Sequence, residues 1–406
     1  MSTLTSQSPH ETPVAVVGAG AMGAGIAQVA AQAGHPVTLV DAATGAAEDA
    51  VARIIGGLQR LEAKGRLSSA ALEEVVGRIG TAATVDDLPA SALVVEAVRE
   101  DLDTKRGLFT RLAAAQPPET VLATNTSSLD VAAIARGIPH PDRVLGLHFF
   151  NPPPVMRLVE VVAGTETATA VVDDACALVR AWGKTPVRCA STPGFIVNRV
   201  ARPFYGEAQR MLMAGTADAA TLDAALRGAG FRMGPLELTD LIGQDVNLAV
   251  GTSVWEQTGR DPRYEPTALQ QELVAAGHLG RKTGRGVYRY APDGSPVDTA
   301  PDERRLAALV GGPVETDPVA RTLAMLVNEA VDLVHRGEAT DDDVDTAMTL
   351  GTNYPRGPLA WGAEIGYAAV ADQLATLDRA FPGGRYRPSP ALADRAARAG
   401  RGEEWR

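Results

Sequence analysis

Val14–Asp41 reads VAVVGAGAMGAGIAQVAAQAGHPVTLVD, and this stretch decides the architecture of the chain. Val14–Val17 is a run of small and β-branched apolar residues, the pattern of a buried parallel strand. Glycines at 18, 20 and 23 follow, and from Ala21 the pattern is that of an alanine-rich helix. Gly34 ends the helix, Pro36 turns the chain, and Val37–Val40 form a second strand that closes on Asp41. The whole is a βαβ dinucleotide fingerprint in its structural context. Gly18 permits the tight turn, Gly20 lets the backbone approach a pyrophosphate, and Gly23 brings the helix close to the strand. Ala21 and Met22 open the helix, whose free N–H groups and positive dipole end face the phosphates. Asp41 stands where a carboxylate accepts hydrogen bonds from the ribose hydroxyls. Ala42 and Ala43 follow it, with no arginine for a 2′-phosphate, so NAD is expected rather than NADP. A glycine turn that merely packs a helix on a sheet would not account for the acid.

The chain has 406 residues, more than a single core usually supports, so two or three domains are expected. A net charge of −11 provides no global basic field for nucleic acid or an anionic membrane, although a local patch can still hold a small anion. Cys176 and Cys189 are the only cysteines, without metal-like spacing, which argues against a disulfide scaffold or a zinc site, and no metal is expected. The first residues, MSTLTSQSPHETP, lack a basic segment followed by an apolar one, and no apolar run spans a bilayer. A cytoplasmic location is the expectation.

Outward from the fingerprint, 46–64 reads as an amphipathic helix, with Arg53, Arg60 and Lys64 on one face. That stripe is either solvated surface or a clamp for the phosphates of a large anionic substrate. Strands are read at 93–97, 121–125, 144–149, 159–162 and 186–189, and helices at 102–112, 128–134 (capped by Ser128) and 169–182. Alternating strands and helices predict a doubly wound, mostly parallel α/β sheet. After Thr192-Pro193-Gly194 helical patterns take over. Met233–Gly243 echoes Arg356–Gly366. Upstream, Asn198 and Glu207 in one helix answer Asn328 and Glu329 in another, and threonine/aspartate-rich caps follow at Thr216 and Thr340. The expected organisation is therefore a disordered 1–12, a Rossmann domain over 13–191, a helical domain over 192–290, a linker over 291–318, and a second, partial helical copy over 319–406.

Ligands of such sheets bind beyond the carboxyl ends of the strands. Asp41, Glu96–Glu100, Asn125–Ser128 and His148 collect there. His148 is the one histidine that ends an apolar strand, and imidazole is the group best suited to take a hydroxyl proton near neutrality. Glu160 is placed to hold the second ring N–H.

These residues carry a resemblance. The chain is similar to the L-3-hydroxyacyl-CoA dehydrogenase family over nearly its whole length. The matching segments are GAGAMGAGIA (18–27), VVEAVREDLDTK (94–105), ATNTSSL (123–129) and GLHFFNPPPVMRLVEVV (146–162). PGFIVNR (193–199), MGPLELTDLIG (233–243) and LGRKTGRGVY (279–288) follow in the right order. The second helical unit, with LGTNYPRGPLAWGAEIG (350–366), resembles longer members that duplicate the C-terminal domain, some acting on 3-hydroxybutyryl-CoA and others on 3-hydroxyadipyl-CoA.

The resemblance implies that His148 is the general base and Glu160 its partner, while Ser127 and Asn198 hydrogen-bond the substrate oxygens. It implies that Glu100, Lys105 and Asn151 contact the nicotinamide half of NAD, that Lys282 reaches the cofactor from the helical domain, and that Lys64 touches CoA phosphate. Gly57 departs from the serine that the family often carries on that helix. Single-copy relatives are expected to dimerise through the helical domain, so the second copy would form an intramolecular pseudo-dimer, with further homo-oligomerisation left open. Three alternatives stand beside an acyl-CoA substrate. One is an acyl group tethered to a carrier protein. Another is a non-catalytic NAD-binding protein, which the presence of both His148 and Glu160 disfavours. The third is a small-molecule 3-hydroxyacid dehydrogenase, a class with a catalytic lysine in the helix where this chain has Asn198.

Overall fold

The computed structural model describes residues 12–399. The chain divides into two compact units, the first ending at Phe195 and the second beginning at Ile196. The segment 1–12, read as disordered, lies outside the described residues except for Thr12. That residue is buried, and its carbonyl accepts a hydrogen bond from His35 Nδ1 at 2.8 Å.

The first unit runs β1 (Val14–Val17), α1 (Ala21–Gln32), β2 (Val37–Val40), α2 (Ala46–Ala63), α3 (Ser69–Gly77), β3 (Ile79–Thr81), β4 (Leu93–Glu96) and α4 (Leu102–Ala115). It continues with β5 (Val121–Thr124), α5 (Val131–Ala135), β6 (Val144–Phe149), β7 (Leu158–Ala163), α6 (Thr169–Ala181) and β8 (Thr185–Ala190). The sheet order is β3-β2-β1-β4-β5-β6-β7-β8. Strands β1, β4, β5 and β6 are buried along their whole length, which is why they read as continuous apolar runs rather than alternations. All neighbours are parallel except β6 and β7, so β7 and β8 run against the rest of the sheet. Small side chains let α1 lie close to the sheet: Ile26, Ala27, Ala30 and Ala31 have no exposed surface.

Two local readings are corrected. The short helix near residue 130 starts at Val131, and its cap is Asp130, whose carboxylate accepts from Ala132 N. Ser128, expected as that cap, instead bonds Glu100. Helix α3 and edge strand β3 were not read; β3 is three residues long and carries a glycine, too short for a periodicity to show.

The second unit contains α7 (Val197–Val200), α8 (Arg202–Met213), α9 (Ala219–Gly228), α10 (Pro235–Ile242), α11 (Gln244–Gln257) and α12 (Ala268–Ala275). A two-stranded hairpin follows, β9 (Arg289–Tyr290) with β10 (Pro296–Val297). Then come α13 (Glu303–Leu309), α14 (Pro318–His335), α15 (Asp341–Gly351), α16 (Pro358–Ile365), α17 (Tyr367–Ala380) and α18 (Pro390–Ala399). The interval read as a linker thus holds a hairpin strand and helix α13, which packs on α9. Asp218, not Thr216, caps α9 through Thr221 N; Thr340 caps α15 through Asp343 N.

The sequence echo is a structural one. Gly234 and Gly357 each precede a helix that begins with proline. Asp223 accepts from Leu236 N and Glu237 N, as Asp345 does from Leu359 N and Ala360 N. A Cβ on Gly234 would stand 2.2 Å from Asp223, and one on Gly357 2.1 Å from Asp345, so both turns require glycine. Helix α14 packs against α8, α9, α16, α17 and α18, which makes it the centre of the unit.

Its contact with the first copy is reciprocal. Arg199 donates to Glu329 at 2.5 Å, and Arg321 donates to Glu207 at 2.7 Å. Arg263 faces Glu329, and Arg385 faces Glu207. Tyr264 bonds Glu329, and Tyr386 bonds Glu207. One spacing separates the members of each pair, so residue i of the first copy meets j of the second while their counterparts meet the other way round.

Candidate active site

The glycine loop is shaped for a dinucleotide. Gly18 has φ +106°, and a Cβ there would stand 2.5 Å from the Ala97 carbonyl oxygen. A Cβ on Gly23 would fall 1.7 Å from Gly18 O, so the first turn of α1 closes on the strand only without one. Gly20 has nothing within 4 Å of its missing Cβ, an open cradle beside the helix start at Ala21 and Met22. Asp41 is held in place at the end of β2, accepting from Ala19 N at 2.7 Å and Ala43 N at 2.9 Å. It borders a cavity of about 590 Å³ whose apolar walls include Val17, Val40, Val98 and Leu108. Asp103 and Arg111 line the same cavity, so it combines apolar walls with two carboxylates and a guanidinium. Arg53 of the basic stripe donates to Ala19 O at 2.8 Å, so it braces the glycine loop. Lys64 is exposed at the C-terminal end of α2.

Asp41→Ala is expected to erode the preference for NADH over NADPH by about 10–100-fold, the effect of losing hydrogen bonds to a charged group. Paired kcat/KM measurements check it; equal values for both cofactors in the parent would remove the assignment.

At the end of β4 lies a buried charge network. Glu96 has no exposed surface and accepts from Lys105 Nζ at 2.7 Å, Val98 N at 2.7 Å and Thr124 Oγ1 at 2.7 Å. Lys105 also reaches Glu100 at 3.2 Å. Enclosed and 1% exposed, Lys105 sits behind Glu100 rather than facing solvent. Glu100 organises the turn after β5: it accepts from Thr126 Oγ1 at 2.6 Å, Ser127 N at 2.9 Å and Ser128 N at 3.1 Å. Burial pushes the Glu100 carboxyl up, but the Lys105 charge and these hydrogen bonds outweigh it and hold it below its ordinary range. Ser127 is half-buried at the head of this turn, its hydroxyl 3.3 Å from Glu100. Asn125 Oδ1 accepts from Phe149 N at 2.8 Å and so ties the turn to β6.

On β6 and β7, His148 and Glu160 are register partners. Directly opposed residues of an antiparallel pair share a face, and here His148 Nδ1 donates to Glu160 Oε2 at 2.6 Å. Glu160 has no exposed surface and His148 is 6% exposed. Phe150 lies 4.5 Å from the imidazole centroid and Phe195 5.8 Å, fixing the ring from two sides. Phe195 adopts a left-handed backbone, φ 48°, uncommon for a bulky residue and therefore a specific placement. With Nδ1 tied to a carboxylate, Nε2 is the nitrogen able to take a proton, and the buried carboxylate compensates the resulting charge.

Asn151 is exposed just beyond, joined to Pro152 by a cis peptide. The turn that follows is pinned by Lys184, which donates to Pro153 O at 2.6 Å and Met156 O at 2.8 Å. Phe150 and Phe195 lie within the motifs GLHFFNPPPVMRLVEVV and PGFIVNR, which assigned them no role, and Lys184 had no signal in the sequence. In the helical unit, Asn198 is half-buried on α7, its carbonyl accepting from Arg202 Nε at 2.8 Å. Lys282 is exposed and paired with Asp245 at 2.6 Å.

A dinucleotide cradle on a doubly wound sheet, with a carboxylate-held imidazole at the strand ends, defines a nicotinamide-dependent dehydrogenase. Residues 13–192 match the 3-hydroxyacyl-CoA dehydrogenase NAD binding domain, and residues 194–290 and 318–404 match the 3-hydroxyacyl-CoA dehydrogenase C-terminal domain. The chain belongs to the 3-hydroxyacyl-CoA dehydrogenase family, NAD-dependent oxidoreductases. It is 42% identical to 3-hydroxyadipyl-CoA dehydrogenase of Escherichia coli, over 94% of this chain and 97% of that one. The human mitochondrial hydroxyacyl-coenzyme A dehydrogenase is 41% identical over 68% of this chain and 90% of its own length. A crystal structure described as 3-hydroxybutyryl-CoA dehydrogenase from Escherichia coli superposes with a TM-score of 0.88 at 41% identity, covering 97% of this chain and 99% of that one. No helix among the described residues is long and apolar enough to cross a membrane.

Proposed function

We propose that the chain oxidises an (S)-3-hydroxyacyl-CoA, of short, medium or dicarboxylic acyl group, reversibly to the 3-oxoacyl-CoA, with His148 as the general base. The observation that carries the roles is the 2.6 Å bond between His148 and Glu160 across the β6–β7 register. NAD+ bound on the glycine loop supplies the hydride acceptor for C3. His148 Nε2 takes the hydroxyl proton as the C–O bond becomes a carbonyl, and Glu160 steadies the imidazolium. Ser127 and Asn198 hydrogen-bond the substrate oxygens. Gly18, Gly20, Ala21, Met22 and Gly23 hold the pyrophosphate and Asp41 the ribose. Glu100, with Lys105 behind it, and Asn151 hold the nicotinamide half, and Lys282 completes the cofactor contacts. Lys64 meets the CoA phosphate.

The second helical copy stands, on this reading, where single-copy relatives would place a partner subunit. The reciprocal ion network between the copies supports it. The Rossmann domain is taken as 13–191 and the two helical copies as 192–290 and 319–406. We place the enzyme in the cytoplasm, in keeping with Cys176 and Cys189, which are buried and form no disulfide.

The experiment is steady-state NADH oxidation with acetoacetyl-CoA, longer 3-oxoacyl-CoAs and 3-oxoadipyl-CoA, with free CoA as competitor. Turnover of one or more CoA esters and inhibition by CoA are expected. No turnover with any of them would overturn the reading, and turnover without competition by CoA would favour a carrier-tethered substrate.

A further inference from the structure

Arg199, Glu207, Arg263 and Tyr264 each recur after a spacing of 122 residues, as Arg321, Glu329, Arg385 and Tyr386. The turns between them keep step. Gly215 and Gly337 are both left-handed, at φ 66° and 71°, and Asp218 and Thr340 both cap the helix that follows. The two ion clusters can therefore be compared position by position. The one around Glu329 is complete, and the one around Glu207 is not.

Around Glu329, Arg199 also meets Asp332 and Glu338, and Arg263 also meets Asp261 and Asp332. Arg336 and Arg387 pair with the same aspartates, so guanidinium groups and carboxylates are balanced there. Around Glu207 the counterpart of Asp332 is Arg210, and those of Glu338, Asp261 and Arg336 are Thr216, Gly383 and Ala214. The last three are smaller than the residues they stand for. All four positions line a cavity of about 430 Å³ that lies wholly within the second unit.

Arg321 and Arg385 line the same cavity, with Glu207 as their one carboxylate partner among the described residues. Arg210 has no ion pair among the described residues. Its Nη2 donates to Glu265 O at 2.9 Å, and its Nε is buried without a hydrogen-bond partner, although buried donors are normally bonded. Burial and the Arg385 charge press the Arg210 guanidinium below its ordinary value, in spite of Glu207. Three guanidinium groups thus share the buried Glu207 and the exposed Glu265 at the rim, which leaves an excess of positive charge. Beside them, Phe381 and Met213 offer exposed apolar walls.

We propose that this cavity binds an organic phosphomonoester, its phosphate held by Arg210 with Arg321 and its organic part lying against Phe381 and Met213. A phosphate dianion supplies the countercharge that Asp332 and Glu338 supply in the sister cluster. It accepts the unpartnered Nε–H of Arg210 and matches the fork of a guanidinium. A carboxylate would bring a single charge where more than one is missing. The volume is that of a small-molecule site, in the range of roughly 300–1,000 Å³, and more than a bare phosphate fills. The dinucleotide cradle and His148 belong to the first unit, so this site is separate from them and does not depend on the reading of the reaction.

The test is calorimetric titration of phenyl phosphate into the full chain, with NADH at saturation to fill the dinucleotide cradle. Inorganic phosphate and benzoate serve as controls that lack the ring or the phosphate. The parent is expected to bind phenyl phosphate at least about tenfold more tightly than either control. Arg210→Ala should weaken that binding roughly 10–100-fold, the effect of removing a charged hydrogen-bond partner. Arg210→Asp, which reproduces Asp332 of the sister cluster, should abolish it. The same variant should raise the urea midpoint of the helical unit, because it gives Arg321 and Arg385 a second carboxylate, and that rise shows that it folds. No binding by the parent, or parent-like binding in both variants, would overturn the inference. Benzoate or inorganic phosphate bound as tightly as phenyl phosphate would overturn the phosphomonoester assignment, and a lowered midpoint in Arg210→Asp would overturn the charge argument.

Discussion

His148→Gln is expected to bind NAD as the parent does and to turn over about 10²–10⁴ times more slowly, the range for loss of a positioned acid–base group. Glutamine fills much of the space between Phe150 and Phe195 but offers no nitrogen that can take a proton. Glu160→Gln should preserve shape and most hydrogen bonding while removing the charge opposite Nδ1. It should reduce kcat more than it raises KM, because the interaction strengthens only as the proton arrives. The two substitutions together should lower turnover little beyond His148→Gln alone, since residues acting as one unit are not additive. Four kcat values decide the matter. Additive losses, or near-normal turnover in His148→Gln, would send the proton by another route.

The second large effect is on stability. Glu207 has no exposed surface and faces two guanidinium groups and a phenol: Arg321 at 2.7 Å, Arg385 at 2.7 Å and Tyr386 at 2.8 Å. Glu207→Ala leaves Arg321 and Arg385 buried with no countercharge, so a loss of about 3–5 kcal/mol is expected in urea denaturation of the helical unit. Glu329→Ala should cost less, because Arg199 keeps Asp332 and Glu338 as partners and Arg263 keeps Asp261 and Asp332. A parent-like midpoint for both would mean that apolar packing alone joins the copies.

The same site sets a pH dependence. Burial pushes the Glu207 carboxyl up, but Arg385 and Arg321 outweigh it and bring it from 4.5 down to about 2. A carboxyl depressed in the folded state stabilises it fully above the unfolded value and loses that stabilisation as pH falls through the folded one. Stability on the order of 3 kcal/mol should therefore disappear between roughly pH 4.5 and pH 2, and Glu207→Gln should flatten this part of the profile.

Much of this protein is legible residue by residue. The strand, glycine turn, helix, strand and acid of Val14–Asp41 each depend on local backbone preference and periodicity, and the structure reproduces their order and nearly their bounds. The helical echo is legible for the same reason: Gly234 and Gly357 are required by turns that close on an aspartate a short way upstream. Reading failed where a residue's role is set by what lies far along the chain. Ser128 resembles a helix cap, yet Glu100, on a different strand end, takes it and leaves the cap to Asp130. Lys105, given by the resemblance as a contact to the nicotinamide half, is enclosed by Glu96 and Glu100, a setting that its place on α4 did not show.

His148 and Glu160 could each be singled out from the sequence. Their meeting depends on β7 running antiparallel to β6 in one register, and a slip of one residue would have turned Glu160 to the opposite face. The pairing of Arg199 with Glu329 and Arg321 with Glu207 is likewise invisible along the chain, because each copy holds charges that make sense only against the other. Sequence alone determined the elements and the candidate groups, through preferences that act over a few residues. Tertiary structure decided which groups share a face, a charge or a cavity, because register and helix packing are settled by burial over the whole unit.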